Sequence, residues 1–233
     1  VKAFLLAAGL GTRLRPVTST VPKCMVEIGG SVLLDIWLDA LAAADVDEVL
    51  VNLHYLPDVV AGHLARRAGR PEVATVLEPD LLGSAGTLAA NRAWVAGEEM
   101  FLACYADNLT DFDLAALIAA HRGSGELATL TAFRSANPSA GGVLKVDSTG
   151  LLTGFAEKPA CPSSDLVNAG MYAFAPAVFD EIPAIVPADI GYHLLPKLTG
   201  RARVIPVGGY FRDIGTLETY GLARKEWPAR AAR

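Results

Sequence analysis

Three groups of residues carry side chains able to bind and position a polyphosphate. The first is the stretch Lys2-Ala3-Phe4-Leu5-Leu6-Ala7-Ala8-Gly9-Leu10-Gly11-Thr12-Arg13-Leu14-Arg15-Pro16, followed closely by Pro22-Lys23. An apolar run opening into a small-residue, glycine-punctuated turn reads as a buried strand and then a loop whose backbone N–H groups can approach an anion. Arg13, Arg15 and Lys23 supply cations, and packing alone does not need three so near one loop. Gly9-Leu10-Gly11 lacks the third glycine of a dinucleotide fingerprint, and no Gly-Lys-[Ser/Thr] triplet closes the loop as in P-loop enzymes. A tight structural turn is therefore the competing reading of the two glycines.

The second group is a pair of carboxylates, Asp107 after the apolar run Met100–Ala106 and Asp213 within Tyr210-Phe211-Arg212-Asp213-Ile214-Gly215-Thr216. Taken singly, Asp107 could cap the helix that follows and Asp213 could be a turn carboxylate beside glycine. Taken together, two carboxylates from distant strand ends suit Mg²⁺, which takes few protein carboxylates and completes its shell with phosphate oxygens and water. The third group is dispersed. Glu78 could accept hydrogen bonds from a guanine edge or stand as a solvated strand-end charge. Leu82-Gly83-Ser84-Ala85-Gly86-Thr87 reads as a glycine-rich helix start. Gly141-Gly142-Val143, Glu157-Lys158-Pro159 and Asn168-Ala169-Gly170-Met171-Tyr172 lie further along.

Taken in order, these motifs resemble the signature of the sugar-1-phosphate nucleotidyltransferases, over the span from Lys2 to about Tyr220. Two departures are visible: Cys24 stands where the family has a second proline after the lysine, and Ala106 where it has the glycine before the aspartate. The resemblance implies joining of a nucleoside triphosphate, GTP favoured by the Gly-Ser-Ala-Gly segment, to a sugar 1-phosphate with release of pyrophosphate. It implies nucleotide contacts from Leu6, Ala8, Gly9, Gly11, Thr12, Arg13, Glu78, Gly83, Ala85, Gly86 and Thr87. Sugar-phosphate contacts would come from Gly142, Glu157, Lys158 and Asn168. Arg13, Lys23, Asp107, Lys158 and Asp213 would be catalytic, with Mg²⁺ on Asp107 and Asp213. One alternative is a nucleotide-binding or regulatory protein of the same fold without turnover. Another is a glycosyltransferase using Asp111-Phe112-Asp113 as its metal motif, although that triplet reads better as helix capping.

These residues need a scaffold that brings distant strand ends together. Apolar strands alternate with helices: after the first strand and its loop come a helix over 33–44, a strand over 47–53, a helix over 56–68 and a strand over 73–77. A helix over 86–96, a strand over 100–106, a helix over 114–122 and a strand over 127–133 follow. Continuous apolar runs and this alternation argue for an open, mostly parallel, Rossmann-like α/β sheet with helices on both faces. Ligands of such a sheet sit beyond the carboxyl ends of its strands, where Gly9–Arg13 and Asp107 both fall. A hairpin over 143–146 and 151–157 and a strand over 167–174 form a small sugar-side β subdomain on the same sheet. No linker divides the chain, so residues 1–233 are expected to be one domain, with fraying from Pro228 onward.

Composition narrows the class further. In 233 residues with 52% apolar side chains a sizeable core is possible, and a net charge of −5 excludes a general nucleic-acid binder. Cys24, Cys104 and Cys161 share no Cys-x-x-Cys spacing, which points to free thiols in a reducing cytoplasm. His54, His63, His121 and His193 form no zinc pattern. With no long apolar span, neither a membrane nor nucleic acid is expected as a partner; a homo-oligomer stays open.

Overall fold

The computed structural model describes residues 1–227; the expected fraying of 228–233 lies outside the described residues. The first half of the chain is β1 (Lys2–Leu6), a small ribbon of β2 (Glu27–Ile28) and β3 (Ser31–Val32), α1 (Leu33–Ala43), β4 (Glu48–Leu53), α2 (Pro57–Leu64), β5 (Glu72–Leu77), α3 (Ser84–Ala90) and β6 (Phe101–Tyr105). Then come β7 (Asn108–Thr110), α4 (Leu114–Arg122), β8 (Ala128–Arg134), β9 (Gly142–Val146), β10 (Leu152–Glu157) and β11 (Leu166–Phe174). The last described elements are β12 (Ala202–Pro206), β13 (Phe211–Asp213) and α5 (Leu217–Glu226).

One nine-stranded sheet runs through both halves, in the order β10-β9-β11-β6-β1-β4-β5, with β8 pairing β11 and β12. β5, β4, β1 and β6 are mutually parallel, so their carboxyl ends line up on one edge. β11 reverses direction against β6 and joins the antiparallel strands β9 and β10. The fold class is as the sequence implies, an α/β sheet with a small β subdomain continuing it. Within β1, Ala3 and Leu5 point into one core and Phe4 and Leu6 into the other, because successive strand side chains face opposite sides. α1 and α4 cover the first face through Leu34, Trp37, Leu38, Leu114 and Leu117. α3 and the segment 190–198 cover the second through Leu88, Leu194 and Leu195. Each leucine buried this fully stabilises the fold by about 2 kcal/mol relative to exposure.

Two helix ends depart from expectation for local reasons. α2 ends at Leu64 rather than 68, since only Val60 and Leu64 of this helix reach the core. α3 stops at Ala90, with a separate 3-10 turn over Arg92–Val95. Asn91 breaks the helix there, its side chain donating to the carbonyl of Thr87 at 2.9 Å. The short strands β7, β12 and β13 carry no clear period in sequence and exist through their pairing. Among the described residues no helix is long and apolar enough to cross a membrane, and Cys24, Cys104 and Cys161 are all free.

Candidate active site

The aligned strand ends open into a cleft of about 260 Å³. Leu6, Ala8, Gly9, Lys23, Glu78 and Asp107 are among its walls. Backbone register explains why. Leu6 pairs with Tyr105 and the Ala106 amide donates to the Leu6 carbonyl at 3.0 Å, so the loop after β1 and the Asp107 turn leave the sheet side by side. Gly11, at φ 62°, turns that loop in the left-handed region. Thr18 Oγ1 donates to the Gly11 carbonyl at 2.7 Å and ties the turn down. Among the described residues, the backbone N–H groups of 8–12 have no protein acceptor, which leaves them available to an anion. Thr12 and Arg13 are exposed on the same loop.

Lys23 is the centre of the charged arrangement. It is only 7% exposed, and its Nζ lies 2.7 Å from Asp107 Oδ2 and 3.4 Å from Asp213 Oδ1. The β7–β13 ribbon brings the two aspartates together: Asp213 pairs with Asn108, and the Ile214 amide donates to the Asp107 carbonyl at 3.0 Å. Burial pushes the Asp213 carboxyl up; Lys23 and Arg13 oppose that shift, while the Asp107 charge adds to it. Asp107 caps no helix: Asp113 caps α4, its side chain accepting from the Ala115 amide at 2.9 Å. Within the Asp111-Phe112-Asp113 triplet, Asp113 is thus the cap, while Asp111 accepts from the Tyr210 amide. Cys24 keeps the turn that the missing proline would have fixed, since Met25 N donates to the Pro22 carbonyl at 2.9 Å. Burial raises the Cys24 thiol to about 12, so it stays protonated.

On the other wall a buried network joins four elements. Asn52, which sequence reasoning left as a strand residue, accepts from the Ala7 amide at 2.7 Å. Its amide donates to Glu78 Oε1 at 2.9 Å and to Thr87 Oγ1 at 3.1 Å. Thr87 in turn donates to Glu78 Oε1 at 2.5 Å. Glu78 is therefore not a solvated charge: it is 2% exposed, and its Oε2 accepts one long bond, from the Leu82 amide at 3.3 Å. That oxygen keeps acceptor capacity toward the cleft. A polar residue inside the apolar run Val49–Leu53 is the signal that could have identified Asn52.

The Gly83–Thr87 segment divides. Gly83 and Thr87 line the cleft, whereas Ala85 and Gly86 are buried and both donate their amides to the Ala188 carbonyl at 3.0 Å. They shape the wall from behind. A Cβ on Gly83, at φ 78°, would fall 2.3 Å from that carbonyl oxygen, so only glycine fits there. Ser84, which the sequence reading took only as part of the Gly-Ser-Ala-Gly segment, also lines the cleft, as do Tyr105 and Asp189, which had no place in it.

The residues expected to contact the sugar phosphate are not among the walls of this cleft. Asn168 donates to the Tyr172 hydroxyl at 2.6 Å and accepts from the Gly170 amide at 3.1 Å. Gly170, at φ 72°, bends β11 against Tyr105, where a Cβ would come within 2.5 Å of the ring. Glu157 is half-buried beside Gly142, and a Cβ there would lie 2.7 Å from Glu157 Oε2. Burial raises the Glu157 carboxyl; Lys158 opposes the shift and Asp189 adds to it. Lys158 is exposed, and its backbone adopts φ 45°, unusual for a residue with a side chain. The structure thus gathers Gly9, Lys23, Glu78 and Asp107 around one cleft, with Asp213 joined to it through Lys23, and sets Glu157 in β10, Lys158 just after it and Asn168 in β11.

The model of the nucleotidyl transferase family matches residues 2–228. A candidate mannose-1-phosphate guanyltransferase of Sulfolobus acidocaldarius is 34% identical over 223 residues, covering 94% of this chain and 61% of the relative. The catalytic subunit beta of the Drosophila melanogaster mannose-1-phosphate guanylyltransferase is 32% identical over 219 residues, covering 92% and 59%. The chain therefore spans about three fifths of the length of these relatives. Among solved structures, a candidate glucose-1-phosphate thymidylyltransferase from Bacillus anthracis superposes with a TM-score of 0.83 at 20% identity, covering 97% of this chain and 95% of the other, a likeness of fold. The match of the family model along almost the whole described chain, on a sheet whose strand ends carry the motifs, establishes that the chain belongs to the nucleotidyl transferase family.

Proposed function

We propose that this chain transfers a guanylyl group from GTP to a mannose-type sugar 1-phosphate and releases pyrophosphate. The observation that carries the reading is the convergence of Asp107 and Asp213 on the buried Lys23 ammonium, opposite a loop of unpartnered amides. The names of the relatives supply the base and the sugar. A phosphate monoester has a second pKa of about 6, so the attacking oxygen is ionised at neutral pH without a general base. It forms a bond to the α-phosphorus as the bond to the bridging oxygen breaks, and pyrophosphate leaves with the electron pair. The protein's work is alignment and charge neutralisation of two anions. Lys158 would hold the attacking phosphate. Lys23, Arg13 and the amides of 8–12 would steady the α-phosphate and the departing pyrophosphate.

The donor set fits a divalent cation. Two carboxylates already meet at one positive charge, and among the described residues no larger cluster of metal-binding side chains exists. Mg²⁺ needs no more than that from a protein when phosphates complete its shell. Asp107 and Asp213 would hold it, and when bound it would neutralise charge on the phosphate oxygens. The continuity of the sheet through both halves supports reading 1–233 as one domain, and three unpaired thiols fit a reducing compartment.

The test is pyrophosphate release over a grid of nucleoside triphosphates and sugar 1-phosphates with Mg²⁺. Release should require both substrates and be fastest with GTP and mannose 1-phosphate. Absence of release from folded protein that still binds a nucleotide would favour the non-catalytic binding protein. Glu78→Gln probes base choice separately. Guanine presents two adjacent N–H donors to the carboxylate, whereas glutamine offers a donor of its own. With Oε1 still able to accept from Asn52 and Thr87, the variant should fold normally and raise the KM for GTP about 10- to 100-fold. An unchanged KM for GTP would remove Glu78 from base recognition.

A further inference from the structure

Asp189 lines the sugar-side end of the cleft, and the scheme above gives it no role. Its Oδ2 accepts from Ser84 Oγ at 2.9 Å and its Oδ1 from the Tyr192 amide at 3.1 Å. Ser84 also accepts from the Tyr105 hydroxyl at 3.0 Å and the Ile190 amide at 2.8 Å. The carboxylate is thereby fixed in orientation by one bond to each oxygen, and each oxygen retains acceptor capacity. Gly191 lets the Glu157 carboxylate come close beside it: a Cβ on Gly191 would lie 2.5 Å from Glu157 Oε2 and 3.2 Å from Asp189 Oδ1, so the two carboxylates stand next to each other. Their charges act on each other, Asp189 adding to the upward shift that burial imposes on Glu157. Two neighbouring acceptors match donors on neighbouring carbons, as ring hydroxyls are.

We propose that Asp189 is a specificity residue for the sugar. Together with Glu157 it accepts hydrogen bonds from ring hydroxyls of a hexose 1-phosphate, and so selects a neutral, polyhydroxylated ring. This rests on the reading of the chain as a sugar-1-phosphate nucleotidyltransferase. The competing role is structural, because Asp189 also caps the turn 190–194 through Tyr192. Asparagine and serine cap as well as aspartate does. Asp189→Asn and Asp189→Ser therefore preserve the cap and remove the charge.

The experiment is steady-state kinetics of wild type and both variants with GTP and mannose 1-phosphate, or each of its three monodeoxy ring analogues. Both variants should raise the KM for mannose 1-phosphate about tenfold or more, with the KM for GTP within about twofold. At least one deoxy analogue that wild type uses about tenfold less well than the parent should be used as well as the parent by Asp189→Ser, whose shorter side chain withdraws the acceptor from that hydroxyl. A wild-type KM in both variants, or a parallel rise in both KM values, would overturn the proposal. So would undiminished discrimination among the deoxy analogues. Wild-type enzyme that turns over no hexose 1-phosphate would remove the underlying functional reading and this proposal with it.

Discussion

Replacing Asp107 by asparagine is expected to lower the rate of pyrophosphate release by about three orders of magnitude, or about 4 kcal/mol of transition-state stabilisation. The isosteric change removes the shorter of the two carboxylate contacts to Lys23, leaving Asp213 at 3.4 Å. It also halves the charge available to a bound divalent cation. The cost to folding should be small by comparison, since the Asp107 side chain is 42% exposed and water can solvate the substituted amide. A stopped assay for pyrophosphate, run beside a thermal melt, separates the two effects. The expected pair of results is a rate near background and a melting temperature within a few degrees of wild type. Retention of more than about a tenth of the wild-type rate would show that the reaction does not run through this carboxylate.

Asn52→Ala should do the reverse, injuring the scaffold first and the chemistry through it. Asn52 is 4% exposed, and its side chain satisfies the Ala7 amide, Glu78 and Thr87 at once. Truncation leaves a buried amide without its acceptor and a buried carboxylate with one donor fewer. Each such loss costs about 1–3 kcal/mol. A total of about 3 kcal/mol corresponds to roughly 6–12 °C in melting temperature for a chain of this size. The first residue of the phosphate loop loses its anchor, so the KM for GTP should rise together with the fall in stability. Asn52→Asp sharpens the test. It keeps an acceptor for Ala7 but sets a second carboxylate against Glu78, and should be at least as destabilising as alanine. A melting temperature for Asn52→Ala within about 2 °C of wild type would refute this account of the network.

The sequence by itself determined the fold class and the identity of the charged residues. Continuous apolar runs such as Phe101–Tyr105 can be buried on both faces only in a covered sheet, and parallel strands put Gly9 and Asp107 at one edge. Those are properties of short stretches, visible without knowing the pairing. Ordered motifs from Gly9 to Asp213 carried the family. What tertiary structure decided was which of several local roles each residue has. Asp107 and Asp113 are equally good helix caps in sequence; pairing of β7 with β13 sends the first to Lys23, and Asp113 alone is left to cap α4. Glu78 reads in sequence equally as a guanine-edge acceptor or a solvated strand-end charge, and the closure of Asn52 and Thr87 over it removes the second. Ala85 and Gly86 moved behind the wall because the Ala188 carbonyl takes their amides, a contact across about a hundred residues. Asn52, Tyr105 and Asp189 belong to no local motif at all. Their roles arise from long-range hydrogen bonds between segments far apart in the chain, and no period or spacing along the chain encodes those.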